Sequence, residues 1–85
     1  MALTQPSGFE LVTRTGCHLC DVMEAELRPV LSDHGLHLAL RDVDEEKELL
    51  ERYGDVVPVL LRDGRPVAKV RLEPGQVERL IRRRR

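Results

Sequence analysis

Two cysteines three residues apart, in the segment Cys17-His18-Leu19-Cys20, are the only cysteines of the chain. That spacing lets the two sulfurs meet within one helical turn, so the pair can pass between dithiol and disulfide. The flanking residues say where it sits. Phe9 to Thr13 reads as a short strand, with Phe9, Leu11 and Val12 among Glu10 and Thr13. Thr15-Gly16 breaks it. From Asp21 onward apolar residues recur at helical spacing: Val22 and Met23, Leu27, then Val30 and Leu31. The pair therefore opens a helix. There the free backbone N–H groups and the positive end of the macrodipole favour an anion. A thiolate is such an anion, and cysteines so placed ionise below the ~8.5 of a free thiol.

Other uses of two close cysteines have different requirements. They can be two small buried apolar residues. A structural zinc site needs about four ligands. His18, His34 and His37 are the only histidines and no second C-x-x-C exists, so no metal ligands are assigned. A strand–C-x-x-C–helix segment also describes small copper chaperones, where two thiolates hold a soft Cu(I) ion. The alternatives that stay open are a soft-metal-binding C-x-x-C module and a non-catalytic interaction domain.

Composition narrows the function classes. Eighty-five residues predict one domain spanning 1–85, with 1–7 and 82–85 as flexible tails. A chain this short has a small core. Phe9 and Tyr53 are the whole aromatic supply, so Leu and Val must build that core and no base-stacking RNA platform is available. No specific nucleic-acid partner is expected. No apolar stretch approaches the ~20 residues of a membrane span. Residues 1–8 lack a basic region followed by an apolar run, so no secretory leader is expected. A cytoplasmic setting follows, in which a C-x-x-C is catalytic or metal-binding rather than a staple. The net charge is −1, yet it is unevenly placed: residues 1–61 hold 5 basic and 12 acidic side chains, residues 62–85 hold 9 and 3. The run Arg82 to Arg85 reads as cations complementing a helix C-terminus.

The remaining elements must frame the pair. The first helix is expected over about His18 to His34, stopped by Gly35. Pro29 lies inside it and should kink or split it. Leu36, Leu38 and Leu40 alternate with polar neighbours, predicting a second strand that runs to Val43. Asp44 is placed to N-cap a short helix holding Leu49, Leu50 and Tyr53, closed by Gly54. Val56 to Leu61 predicts a third strand, Asp63-Gly64 a tight hairpin turn, and Pro66 to Leu72 a fourth strand. Pro74-Gly75 turns the chain, and Val77, Leu80 and Ile81 line a last helix. The order is β-α-β-α-β-β-α. A right-handed crossover makes the first two strands parallel, and strands apolar on both sides need helices on both faces.

This pattern resembles the thioredoxin fold in its minimal, glutaredoxin-like form. The likeness is to short bacterial glutaredoxin-like proteins with a Thr-Arg-x-Gly-Cys-His-Leu-Cys type of segment, here Thr13 to Cys20, and with a Val-Pro opening the third strand, here Val57-Pro58. The resemblance implies an α/β fold with a four-stranded mixed sheet and a thiol–disulfide oxidoreductase. It implies that Cys17 is the nucleophile and Cys20 the resolving cysteine. It also implies that Pro58 is cis, and that the Val57 backbone holds an extended thiol substrate. Arg14 matches the family's basic residue three before the nucleophile, and His18 is placed to stabilise the thiolate or donate a proton. The chain departs from thioredoxins: Gly16 stands where they carry Trp, His18-Leu19 where they carry Gly-Pro, and Leu11 where they bury an aspartate. It has Arg71-Leu72-Glu73-Pro74 where glutaredoxins carry Gly-Gly and acidic residues for glutathione. No cofactor is expected, with glutathione an optional co-substrate. The expected partner is a thiol or disulfide, protein or small molecule, met by a monomer.

Overall fold

The structure, a computed structural model, describes residues 8–82. The expected tails lie outside the described residues, except Arg82, which ends the last helix. The elements are β1 (Phe9–Thr13), α1 (His18–Asp33), β2 (Leu38–Asp42), a 3-10 turn (Val43–Glu45), α2 (Lys47–Tyr53), β3 (Val59–Arg62), β4 (Arg65–Lys69) and α3 (Gln76–Arg82). The sheet has the order β2-β1-β3-β4. β1 runs parallel to β2 and antiparallel to β3, and β4 is antiparallel to β3. This is the mixed α/β sheet that the element order predicts.

Period-2 alternation sorts the central strands into two cores. Phe9 and Leu11 of β1 and Leu60 of β3 join Met23, Leu27 and Leu31 of α1 and Val77 of α3. On the other face Val12, Val59 and Leu61 meet Val43, Leu49 and Tyr53. Complete burial of one such Leu or Val stabilises the fold by about 1.5–3 kcal/mol. The sandwich fixes β1, and with it the segment leaving its C-terminal end.

Four local features depart from the expectations. Pro29 does not split α1, which continues to Asp33. Pro29 is exposed, so the unpaired carbonyl four residues back can turn to water, while Leu27 and Leu31 hold the buried stripe. The helix ends in a Schellman motif: Gly35 at φ 70 donates to the Ser32 carbonyl, and Leu36 donates to that of Leu31. That motif occupies Leu36, so β2 begins at Leu38. Asp44 does not cap α2. Asp42 accepts from the Asp44 N–H to start the 3-10 turn, and Glu46 precedes α2 without a side-chain cap. β3 begins after Pro58, and β4 stops at Lys69 because the next residue turns back on itself. Between them Asp63 (φ 53) and Gly64 (φ 84) form the two-residue turn expected of Asp-Gly. Leu60 pairs with Ala68 and Leu61 with Pro66, leaving Val67 as a bulge.

Candidate redox site

β1, β2 and β4 end, and β3 begins, at one edge of the sheet. Register carries Thr13 beside Asp42, Val12 beside Val59, and Val59 beside Lys69. Across that edge the chain therefore sets out Asp42 to Glu45, then Arg14 to Cys20, then Val57-Pro58, then Lys69 to Arg71.

Cys17 is the N-cap of α1, with extended φ and ψ of −96° and 109°. Its N–H donates to the Arg14 carbonyl at 3.2 Å, closing a turn over Thr15 and Gly16. Gly16 takes φ 79, which glycine adopts without the penalty of a Cβ. Cys17 Sγ accepts the Cys20 N–H at 3.1 Å. The helix thus directs one of its free N–H groups at the sulfur of its own cap, which favours the thiolate over the thiol. The sulfurs of Cys17 and Cys20 are joined in a disulfide, with the Cα atoms 5.2 Å apart. Their exposure differs. Cys17 is half-buried, whereas Cys20 is only 1% exposed and continues the buried stripe of Met23, Leu27 and Leu31. His18 follows on the exposed first turn. Asp21, also in that turn, opposes the field.

The Arg14 guanidinium is engaged by Asp44 and Gly54. Its Nε and one Nη donate to both carboxylate oxygens of Asp44 at 2.9 Å, and the other Nη donates to the Gly54 carbonyl at 2.9 Å. The hydrogen bond from Arg14 holds the Asp44 carboxyl below its ordinary ionisation range. One guanidinium so ties the loop before Cys17 to the 3-10 turn and to the end of α2. Nothing in the sequence pairs Arg14 with Asp44, 30 residues away.

The Val57–Pro58 peptide bond is cis, and Pro58 is buried. Val57 is half-buried and packs on the α2 side of the core. The Pro58 carbonyl accepts the Val70 N–H at 2.8 Å. Val70 carries no turn signal in its residue type: a β-branched residue at φ 71, in the left-handed region, centres a three-residue turn in which Arg71 N–H donates to the Lys69 carbonyl at 2.7 Å. The structure thus brings Cys17, Cys20, Arg14, Val57 and Pro58 to one end of the sheet, and adds Asp44, Gly54 and Val70. Among the described residues no group of three or more His, Cys, Asp or Glu side chains is placed to hold a metal ion.

The sequence signature of the Glutaredoxin-like domain (DUF836) matches residues 9–82. The chain belongs to this glutaredoxin-like family. Among solved structures it is similar to protein Ne2328 from Nitrosomonas europaea, at a TM-score of 0.76 and 26% identity, covering 94% of this chain and 96% of that one. It is also similar in fold to Fasciola hepatica thioredoxin, at a TM-score of 0.57 and 19% identity, covering 92% and 83%. No curated protein matches the chain. A glutaredoxin-like domain on a thioredoxin fold, with Cys17 and Cys20 at C-x-x-C spacing, supports a redox-type role. Among the described residues no helix is long and apolar enough to cross a membrane.

Proposed function

We propose that this glutaredoxin-like chain is a cytoplasmic thiol–disulfide oxidoreductase working through Cys17 and Cys20. One observation carries the reading: the two sulfurs bond at a helix start, with Cys17 accessible and Cys20 buried behind it. In the reducing direction the Cys17 thiolate attacks one sulfur of a partner disulfide. A mixed disulfide forms, and the partner's other sulfur leaves as a thiolate. Cys20 gives up its proton and attacks Cys17 Sγ, which forms the Cys17–Cys20 bond and expels the partner's second thiolate. The partner gains two electrons and two protons; the pair loses them. A low-molecular-weight thiol such as glutathione, or a dithiol reductase, returns the pair to the dithiol. In-line attack requires the partner's disulfide to lie along the Cys17 bond axis. The Val57 backbone at the neighbouring strand start supports that role, and exposed His18 is placed to give the leaving thiolate its proton. Arg14 acts as a positioning residue, since its donors are already engaged by Asp44 and Gly54.

The test is single turnover against an uncharged small disulfide, combined with trapping. Reduced protein should consume one equivalent of disulfide and lose both thiols. Cys20→Ser should accumulate a mixed disulfide at Cys17, while Cys17→Ser should accumulate none. A wild-type protein that leaves the disulfide intact would remove the catalytic reading in favour of an interaction domain.

A further inference from the structure

The cation nearest Cys17 in sequence is Arg14, and Asp44 neutralises it. Other cations stand at the same end of the sheet. Lys69 ends β4 and Arg71 follows it; both are exposed, and neither forms a salt bridge among the described residues. Between them Val70 is held outward, 37% exposed, at a backbone angle that costs a β-branched residue free energy. The Pro58 carbonyl fixes this turn beside the third strand.

Apolar side chains are also exposed at the start of α1, beside the cysteines. Leu19 is 43% exposed and Val22 38%, both in the first turns of α1. Leu19, Val22 and Glu26 follow helical spacing along one flank. Glu26 lines a cleft with Leu72 and Glu73, so this flank is the one turned toward the β4–α3 connection. The opposite side of the site is acidic: Glu45 and Asp55 are exposed beside the Arg14–Asp44 pair.

We propose that the Val70 turn, with Lys69 and Arg71, and the Leu19–Val22 flank form a docking shelf for a protein cysteine flanked by acidic and apolar residues. The proposal rests on the oxidoreductase reading and specifies the substrate class of that site. Charge complementarity selects an acidic segment on the β4 side. The exposed Leu and Val side chains select a protein over glutathione, which has no apolar side chain to cover them. Lys69 lies two strands from β1, so about 10 Å separates the two strand ends. At ~3.3 Å per extended residue the acidic group falls about three positions from the reactive cysteine. Charges at that range are felt at low ionic strength and screened above about 0.1 M salt.

The experiment compares three disulfides with the wild-type protein and two variants. The probes are a peptide with Asp three residues from its cysteine and Leu beside it, the same peptide with Lys for Asp, and glutathione disulfide. Both peptide cysteines are presented as mixed disulfides with 2-mercaptoethanol. The variants are Lys69→Glu/Arg71→Glu and Leu19→Ser/Val22→Ser. Wild type should reduce the acidic peptide faster than the basic one, by about tenfold in kcat/KM at low salt, converging as salt rises. The charge-reversed variant should invert the order. The Leu19→Ser/Val22→Ser variant should slow both peptides and leave their ratio unchanged. Equal wild-type rates, or a preference that survives charge reversal, overturn the proposal. So does a preference for glutathione disulfide over both peptides that the serine variant does not alter, which would make the shelf a glutathione site. A wild type inert toward all three probes and toward an uncharged small disulfide fails the oxidoreductase reading itself. Activity on the uncharged disulfide without charge preference fails only the shelf.

Discussion

A redox switch must survive its own reduction, and the structure lets that cost be worked out. The Cys17–Cys20 bond closes a loop with a sequence separation of 3. Chain entropy for so short a loop gives about 2 kcal/mol of stabilisation at 25 °C, against ~3 for a 15-residue loop. Little is lost on the native side. Reduced Cys20 remains a small apolar group within the stripe of Met23, Leu27 and Leu31. The Cys20 N–H keeps Cys17 Sγ as its acceptor. Both core clusters stand on other residues. An 85-residue domain typically has about 4–13 kcal/mol to lose, so the dithiol form should fold. Urea unfolding followed by circular dichroism should place the oxidised protein about 2 kcal/mol or less above the reduced one, with equal m-values. The thermal midpoints should differ by about 16 °C or less. A loss above about 4 kcal/mol, or a reduced protein that does not fold, would make the pair a structural staple and refute the reasoning.

Other outcomes follow from the same geometry. In the reduced protein Cys17 should alkylate faster than Cys20 near neutrality, because Cys20 is buried; peptide mapping after timed iodoacetamide treatment reads the order, and a faster Cys20 would reverse the assignment. Hydrogen bonding from Arg14 lowers the folded Asp44 pKa, so that carboxylate stabilises the fold above its unfolded value near 3.9 and the contribution disappears as pH falls through the lower folded value. Asp44→Asn should therefore flatten the acid limb of stability against pH, and an unchanged limb would show that the pair contributes nothing. Val70→Gly relieves about 1–2 kcal/mol of left-handed strain and adds about 0.4–1 kcal/mol of unfolded-state entropy. The variant should be as stable as wild type or up to about 1.6 kcal/mol more so, yet slower on the acidic peptide. A clear destabilisation would mean that Val70 serves the fold.

What the sequence made legible was local. The strand Phe9–Thr13, the Gly35 stop and the Asp63-Gly64 turn each rest on neighbouring residues whose preferences agree, and so does the helix start at Cys17. The element order and the helix-covered mixed sheet followed from them. What it hid was long-range. Asp44 looks like a cap by its position before a helix, but a bidentate bond from Arg14 claims its carboxylate, and α2 starts without a side-chain cap. Arg14 looks like a free cation three residues before a nucleophile for the same reason. Val70 looks like mid-strand, because a β-branched residue in the left-handed region contradicts its own preference. Only the Pro58 carbonyl and the end of β4 place it there. All three misread residues lie at the sheet end that carries Cys17, where local preference is overruled by tertiary contacts.

The most direct test of the account is a redox titration of the Cys17–Cys20 pair. The protein is equilibrated at a series of glutathione or dithiothreitol poises, quenched in acid, and its free thiols counted by mass after alkylation. The account predicts a single reversible two-electron transition, reached from either direction, in which both thiols appear together and the tenfold step is ~30 mV. Two free thiols at every poise that keeps the protein folded, or a disulfide that opens only on unfolding, would contradict it.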